Sequence, residues 1–267
     1  RPGIYIDLEI YSNFSSIIAT LSLSKNRMGF YKNDKTYRGG IYTHMLFFNI
    51  KAPISQAYLQ FARLLGCSTM ENELFLNSGN INPDTMQIID QKLNSSLQKY
   101  MVVNPNASDL RAERRWDSVN FASLIKKIRS GFPGHHIFLI GAENEMAYVK
   151  KISSALISEK NVIDSSGKLS ISELIILIEN AELMITNDTG PMHIAFAMKT
   201  KTVSLFGPCS PQQYGGLNNS TVIYKNTYCS PCIHDFLIPP CHGDNQCMKK
   251  ITVDEVYEAV KLTLNSS

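Results

Sequence analysis

Between Ala181 and Pro211 the chain reads AELMITNDTGPMHIAFAMKTKTVSLFGPCSP, and no other stretch limits its possible folds as tightly. Leu183–Thr186 is a short apolar run with a β-branched lean, suited to a strand buried on both faces. Asn187-Asp188-Thr189-Gly190-Pro191 interrupts it with turn formers. Pro191 suits the first turn of a helix, where a missing N–H costs nothing. Met192–Met198 continues as an Ala-containing apolar helix, and Thr202–Phe206 is a second strand closed by Gly207-Pro208. The pattern is strand, loop, helix, strand, with the helix starting directly behind Asp-Thr-Gly. A chain carrying it is α/β.

The arrangement has a chemical use. The first turn of a helix presents unpaired N–H groups and the positive end of the helix dipole, which together bind phosphate without a metal. Gly190 allows a ligand close to the backbone, Thr189 offers a hydroxyl, and Asp188 is placed to cap the helix. The competing explanation is an ordinary Asp/Thr cap with no ligand.

The ordered run DTGPMHIAFAM followed by VSLFGP resembles the nucleotide-sugar motif of glycosyltransferase family 9, the heptosyltransferase family. The resemblance implies a GT-B-like fold: two Rossmann-like domains facing across a cleft. It also implies a nucleotide-sugar donor, usually ADP-heptose, whose diphosphate meets Asp188, Thr189 and Gly190, with Pro191 and His193 alongside.

With 267 residues and a net charge of +3, the chain has room for one large domain or two small ones and no long basic run calling for nucleic acid. The apolar stretch Ile171–Ile178 is interrupted by Ser172 and Glu173 and is too short to cross a membrane. With no leader pattern at the start, the expectation is a cytosolic protein, at most loosely held at the inner membrane. The chain opens at Arg1 straight into a strand. GT-B enzymes usually exceed this length, so the N-terminal domain is expected to be incomplete.

Residues 1–98 read as the remainder of that acceptor-side domain, and residues 99–267 as the nucleotide-sugar-binding domain. In the first part, Ile4–Asp7 and Arg27–Tyr31 are strands, and Ser12–Leu23 and Ile54–Leu65 are helices. The segments DLEIYSNFSSI, RMGFY and RGGIYTH resemble the middle of the family's N-terminal domain. Arg38-Gly39-Gly40 and His44 are expected on a loop, either facing the cleft or simply solvated. Asn77–Asp84 is the linker candidate, Asp84–Leu97 a bridging helix, and the boundary falls near Lys99.

The second part starts with strand Tyr100–Val103, broken by Asn104-Pro105-Asn106-Ala107-Ser108. Arg111, Arg114, Arg115 and Trp116 precede a helix reaching about Ser130. By the resemblance, Ser108 bonds the donor phosphate and either Arg114 or Arg115 neutralises it; otherwise this is a solvated basic loop. His136–Gly141 is a strand, and Glu143 just beyond it corresponds to the family's ribose contact, or else is a first-turn acid favoured by a helix dipole. Asn161–Asp164 is another strand. Lys168–Leu174 resembles the loop passing the adenine, with Leu169 as an apolar contact or as plain core. Thr252 with Glu255 forms a capping box opening a C-terminal helix, Val253–Leu264.

Four of the six cysteines crowd into residues 229–247 as Cys229-x2-Cys232-x8-Cys241-x5-Cys247, with His234 and His242 among them. In a cytosolic protein such spacing suits a structural zinc held by four thiolates, with free thiols or disulfides as alternatives. Cys67 and Cys209 read as structural.

The resemblance implies transfer of a sugar from a nucleotide donor to a lipopolysaccharide or related glycolipid acceptor with inversion, and no metal needed for the chemistry. The family's catalytic Asp lies in a Gly-Asp loop for which no counterpart is present, so no catalytic base is assigned. A sugar-nucleotide epimerase of the same fold, or a nucleotide-sugar binder without activity, are the alternative functions.

Overall fold

The computed structural model describes residues 2–32, 35–68, 73–94, 99–215, 220–236 and 238–265. Its contacts divide the chain into two units: Arg1–Glu73 with Gln212–Tyr214, and Leu74–Pro211 with Gly215–Ser267.

In the first unit, strands β1 (Ile4–Ile6), β2 (Asn26–Tyr31) and β3 (His44–Phe47) form a parallel sheet in the order β1-β2-β3. Helices α1 (Phe14–Leu21) and α2 (Ile54–Leu64) come after β1 and β3. Phe30 centres the small core, with the Phe48 and Phe61 rings edge-on at 5.1 and 4.9 Å. Gly29 is there because Tyr42 needs its space: a Cβ would lie 2.6 Å from the ring. The Tyr42 hydroxyl donates to Asp7, and its pKa is pushed up to about 12 by burial and then by that carboxylate.

Two expectations change here. Arg38 is fully buried, and its guanidinium donates to the Glu9, Ser12 and Phe30 carbonyls and lies 3.8 Å from Asp7. A buried guanidinium must be paired, and it serves the local chain rather than an outward-facing loop. His44 opens β3 rather than lying on a loop.

The second unit is a six-stranded parallel sheet in the order β6-β5-β4-β7-β8-β9. Its strands are β4 (Tyr100–Asn104), β5 (His136–Leu139), β6 (Val162–Asp164), β7 (Leu183–Asn187), β8 (Thr202–Phe206) and β9 (Ser220–Tyr224). Its helices are α3 (Thr85–Leu93), α4 (Ser118–Gly131), α5 (Met146–Ser154), α6 (Ile171–Glu179), α7 (Gly190–Ala197) and α10 (Val253–Asn265). The four-residue helix α9 (Gln246–Lys249) completes the series, while α8 (Pro211–Tyr214) falls almost wholly in the first unit.

Every residue of β4, β7 and β8 is buried, because helices cover both faces. Met101 and Val103 pack with α4, α5 and α10; Tyr100 and Val102 pack with α3, α6 and α7. Counted from β4, this is the doubly wound 3-2-1-4-5-6 order, whose direction reverses between β4 and β7. In doubly wound sheets the loops leaving the carboxyl ends of the two strands at the reversal part and leave a crevice for ligands.

Helix α3 buries Ile89 and Leu93 against Tyr100 and Leu177. That packing draws residues from Leu74 onward into the second unit, ahead of the boundary expected near Lys99. Residues 95–97, expected to end this helix, lie outside the described residues. Lys168–Leu174 divides: Ser170 caps α6, taking the Glu173 N–H while Glu173 takes the Ser170 N–H.

Candidate functional site

The crevice at the reversal stands on a footing of buried amides and hydroxyls. Asn104 donates to the Thr186 hydroxyl at 3.0 Å, tying the end of β4 to β7. Asn187 donates to the carbonyls of Pro105 (2.8 Å) and Asn106 (3.3 Å) and accepts from the Trp116 N–H. Asn106 donates to the Ile140 carbonyl beyond β5 at 2.8 Å. These bonds lock three strand ends together, although Oδ1 of Asn106 is buried without a hydrogen-bond partner among the described residues.

Asp188 stands on this footing, 4% exposed, with its carboxylate 3.6 Å from Nη1 of Arg114. It does not cap α7 as expected: the cap is Thr189, in extended conformation and without a side-chain capping bond. Cys209 is buried, and burial, then the charge of Asp188, raises its thiol pKa far beyond the ordinary range. Among the described residues, Nε of Arg114 is buried without a hydrogen-bond partner.

The two arginines divide their work. Arg115 turns back on its own loop. It donates to the Ala107 carbonyl at 3.0 and 2.5 Å, reaches Asp109 at 2.6 Å, and lies over the Tyr148 ring at 4.7 Å. Arg114 is the one that points at Asp188 and the start of α7. Ser108 is exposed at the head of the same turn, its carbonyl taking the Arg111 N–H.

Gly190 opens α7 and is exposed, and a Cβ built there would meet no described residue outside its chain neighbours and own helix backbone within 4 Å. Pro191 follows within the first turn, as expected. His193, one turn in, has its pKa lowered by desolvation, with Arg114 reinforcing and Asp188 opposing. Glu143 is exposed in the short turn after β5, beside the left-handed Gly167 that lies beyond β6. Leu169 is half-buried against the α3/α6 face of the sheet. Ser108, Arg114, Glu143, Asp188, Thr189 and Gly190 thus lie beyond the ends of β4, β5 and β7 at one edge of one sheet.

The Cys-rich loop reaches the same edge, which the sequence did not disclose. The Cys232 and Ile233 N–H groups both donate to the Pro208 carbonyl, just past β8, at 2.9 and 3.1 Å. Asn245 donates to the Glu113 carbonyl and Arg111 reaches the Phe236 carbonyl. His234 lies between these anchors. Its pKa is lowered by desolvation and by Arg114 and Arg111, and raised by Asp188 and Asp235.

All four cysteines of the loop are free thiols. Burial pushes Cys232 and Cys247 up to about 11, and Cys229 and Cys241 reinforce both shifts. The donor set has the chemistry of a zinc site. Among the described residues, however, no group of three or more His, Cys, Asp or Glu side chains is arranged to hold a metal ion. Also among the described residues, no helix is long and apolar enough to cross a membrane.

Residues 16–237 match the family model of glycosyltransferase family 9 (heptosyltransferase). The chain is 28% identical over 258 residues to lipooligosaccharide heptosyltransferase 2 of Campylobacter jejuni, covering 94% of this chain and 72% of that protein. Its fold is similar to that of the Escherichia coli ADP-heptose heptosyltransferase II, with a TM-score of 0.70 at 20% identity, covering 98% of this chain and 75% of that one. It is also similar to the E. coli heptosyltransferase WaaC solved with ADP, with a TM-score of 0.67 at 16% identity, covering 98% and 73%.

Proposed function

The chain belongs to glycosyltransferase family 9, the heptosyltransferases, and from that membership we propose that it transfers heptose from ADP-heptose to a lipopolysaccharide-type acceptor, inverting the anomeric centre. The observation that carries this reading is the meeting of Arg114 and Asp188 beside the open first turn of α7, where the strand order reverses. Nucleotides bind at that point of doubly wound sheets.

The donor diphosphate takes the N–H groups at Thr189–Gly190, with the Ser108 hydroxyl beside it and Arg114 as the cation. Glu143 accepts from the ribose hydroxyls, and the adenine lies towards Gly167 and Leu169. The acceptor oxygen bonds to the anomeric carbon as the bond from that carbon to the diphosphate oxygen breaks. The electron pair goes to the diphosphate, whose growing charge Arg114 and the helix N–H groups stabilise without a metal. The acceptor proton leaves to a general base that is not among the assigned residues. The glycolipid acceptor is met at the cytoplasmic surface of the inner membrane.

A nucleotide series followed by thermal shift tests this reading. ADP and ADP-heptose are expected to raise the melting temperature, with UDP and GDP ineffective at equal concentration. Ligand at about 100 times its Kd adds about 2.7 kcal/mol. Equal shifts with all nucleotides, or a shift with none of them in a demonstrably folded protein, would refute the donor assignment.

A further inference from the structure

The Cys-rich loop bears on the donor through one side chain. We propose that His234 reads the transferred sugar of the nucleotide donor, setting specificity for that group while leaving the nucleotide alone. The inference rests on the proposed donor placement and extends it along the sheet edge.

Strand order fixes the direction. Glu143 and Gly167 lie beyond β5 and β6, Ser108 and Arg114 beyond β4, and Asp188–Gly190 beyond β7. A donor with its ribose over β5 and its diphosphate between β4 and β7 therefore points its remaining group towards β8. Directly after β8 the chain continues as Gly207-Pro208-Cys209, and the Pro208 carbonyl holds the Cys232–Ile233 backbone by two hydrogen bonds. Ile233 is buried and His234 is exposed, so the loop packs inward through one residue and presents the next. Arg111, on the β4 loop, takes hold of the same segment at the Phe236 carbonyl. His234 is thus carried to the sugar end of the crevice, within electrostatic reach of both Asp188 and Arg114. A single imidazole nitrogen donates or accepts one hydrogen bond, which suits one sugar hydroxyl. Neither the phosphates nor the adenosine lies on that side.

The test is calorimetric titration of the full chain with ADP and with ADP-heptose, for the parent, His234→Ala and His234→Gln. One neutral hydrogen bond corresponds to roughly two- to twelvefold in affinity. His234→Ala is expected to weaken ADP-heptose by about fivefold to tenfold and ADP by less than about twofold. His234→Gln keeps a donor and an acceptor and is expected to recover most of that loss. Equal weakening of both ligands, or no change in either, overturns the assignment. If the parent binds neither ligand, the donor reading has failed and this inference falls with it. If the parent binds both ligands and His234→Ala does not discriminate between them, only this inference fails.

Discussion

Replacing Gly190 with Ala separates folding from ligand binding at one atom. Side-chain bonds in a helix tilt towards its N-terminus, so a Cβ on the first residue of α7 projects into the space where the N–H groups would meet a phosphate. Among the described residues, nothing beyond its chain neighbours and its own helix backbone lies within 4 Å of that Cβ, so the substitution introduces no clash with them. Gly-to-Ala at a compatible position stabilises by about 0.4–1 kcal/mol, largely by restricting the unfolded chain. At about 2–4 °C per kcal/mol for a unit of this size, the unliganded protein is expected to melt about 1–4 °C higher. ADP is expected to lose one charge-assisted hydrogen bond, about 1.5–3 kcal/mol, or about 10- to 150-fold in affinity. Differential scanning calorimetry without ligand and isothermal titration with ADP measure the two effects on one sample. A raised melting temperature with ADP affinity within about twofold of the parent would show that phosphate does not approach α7, and would refute the reasoning. A lowered melting temperature would show that the space above Gly190 is not open.

Arg114→Ala and Arg115→Ala are expected to fail differently. Removing Arg115 takes away its bonds to Ala107 and its place over Tyr148 and is expected to cost about 1.5–3 kcal/mol of stability. Removing Arg114 is expected to weaken ADP binding by about tenfold or more. Denaturant melts beside titrations would show whether the two roles are reversed. The four loop cysteines are free thiols that are not gathered around one point among the described residues, so a structural zinc requires them to close in on it; elemental analysis of protein purified without chelator finds one metal ion per chain if they do. Metal-free protein with four thiols open to alkylation would exclude the site.

Much of this was written in single segments. The continuous apolar runs of β4, β7 and β8 announce strands buried on both faces, and the Asp-Thr-Gly-Pro turn announces the helix behind β7. The strand β9 escaped because its STVIY is only half buried and carries no motif. The start of α6 stands in Ser170-x-x-Glu173, a capping pattern inside the segment expected to pass the adenine. Pairing across the chain could not be read locally. Asp188 looks like a cap because its partner, Arg114, lies far upstream. Arg114 and Arg115 are neighbours of one residue type, and only the position of the Ala107 carbonyl decides which one turns inward. His234 was visible among the cysteines, but nothing in its surroundings says that Pro208 would carry it to the crevice.

The footing of Asn104, Asn106, Thr186 and Asn187 has a further consequence. None of these side chains has a proton to lose or gain at ordinary acidity. Had carboxylates or imidazoles tied the strand ends together, each drop in pH would have loosened the joint on which both loops stand. An amide footing keeps the same shape in acid and in base, so acidity reaches this crevice only through the groups standing above it.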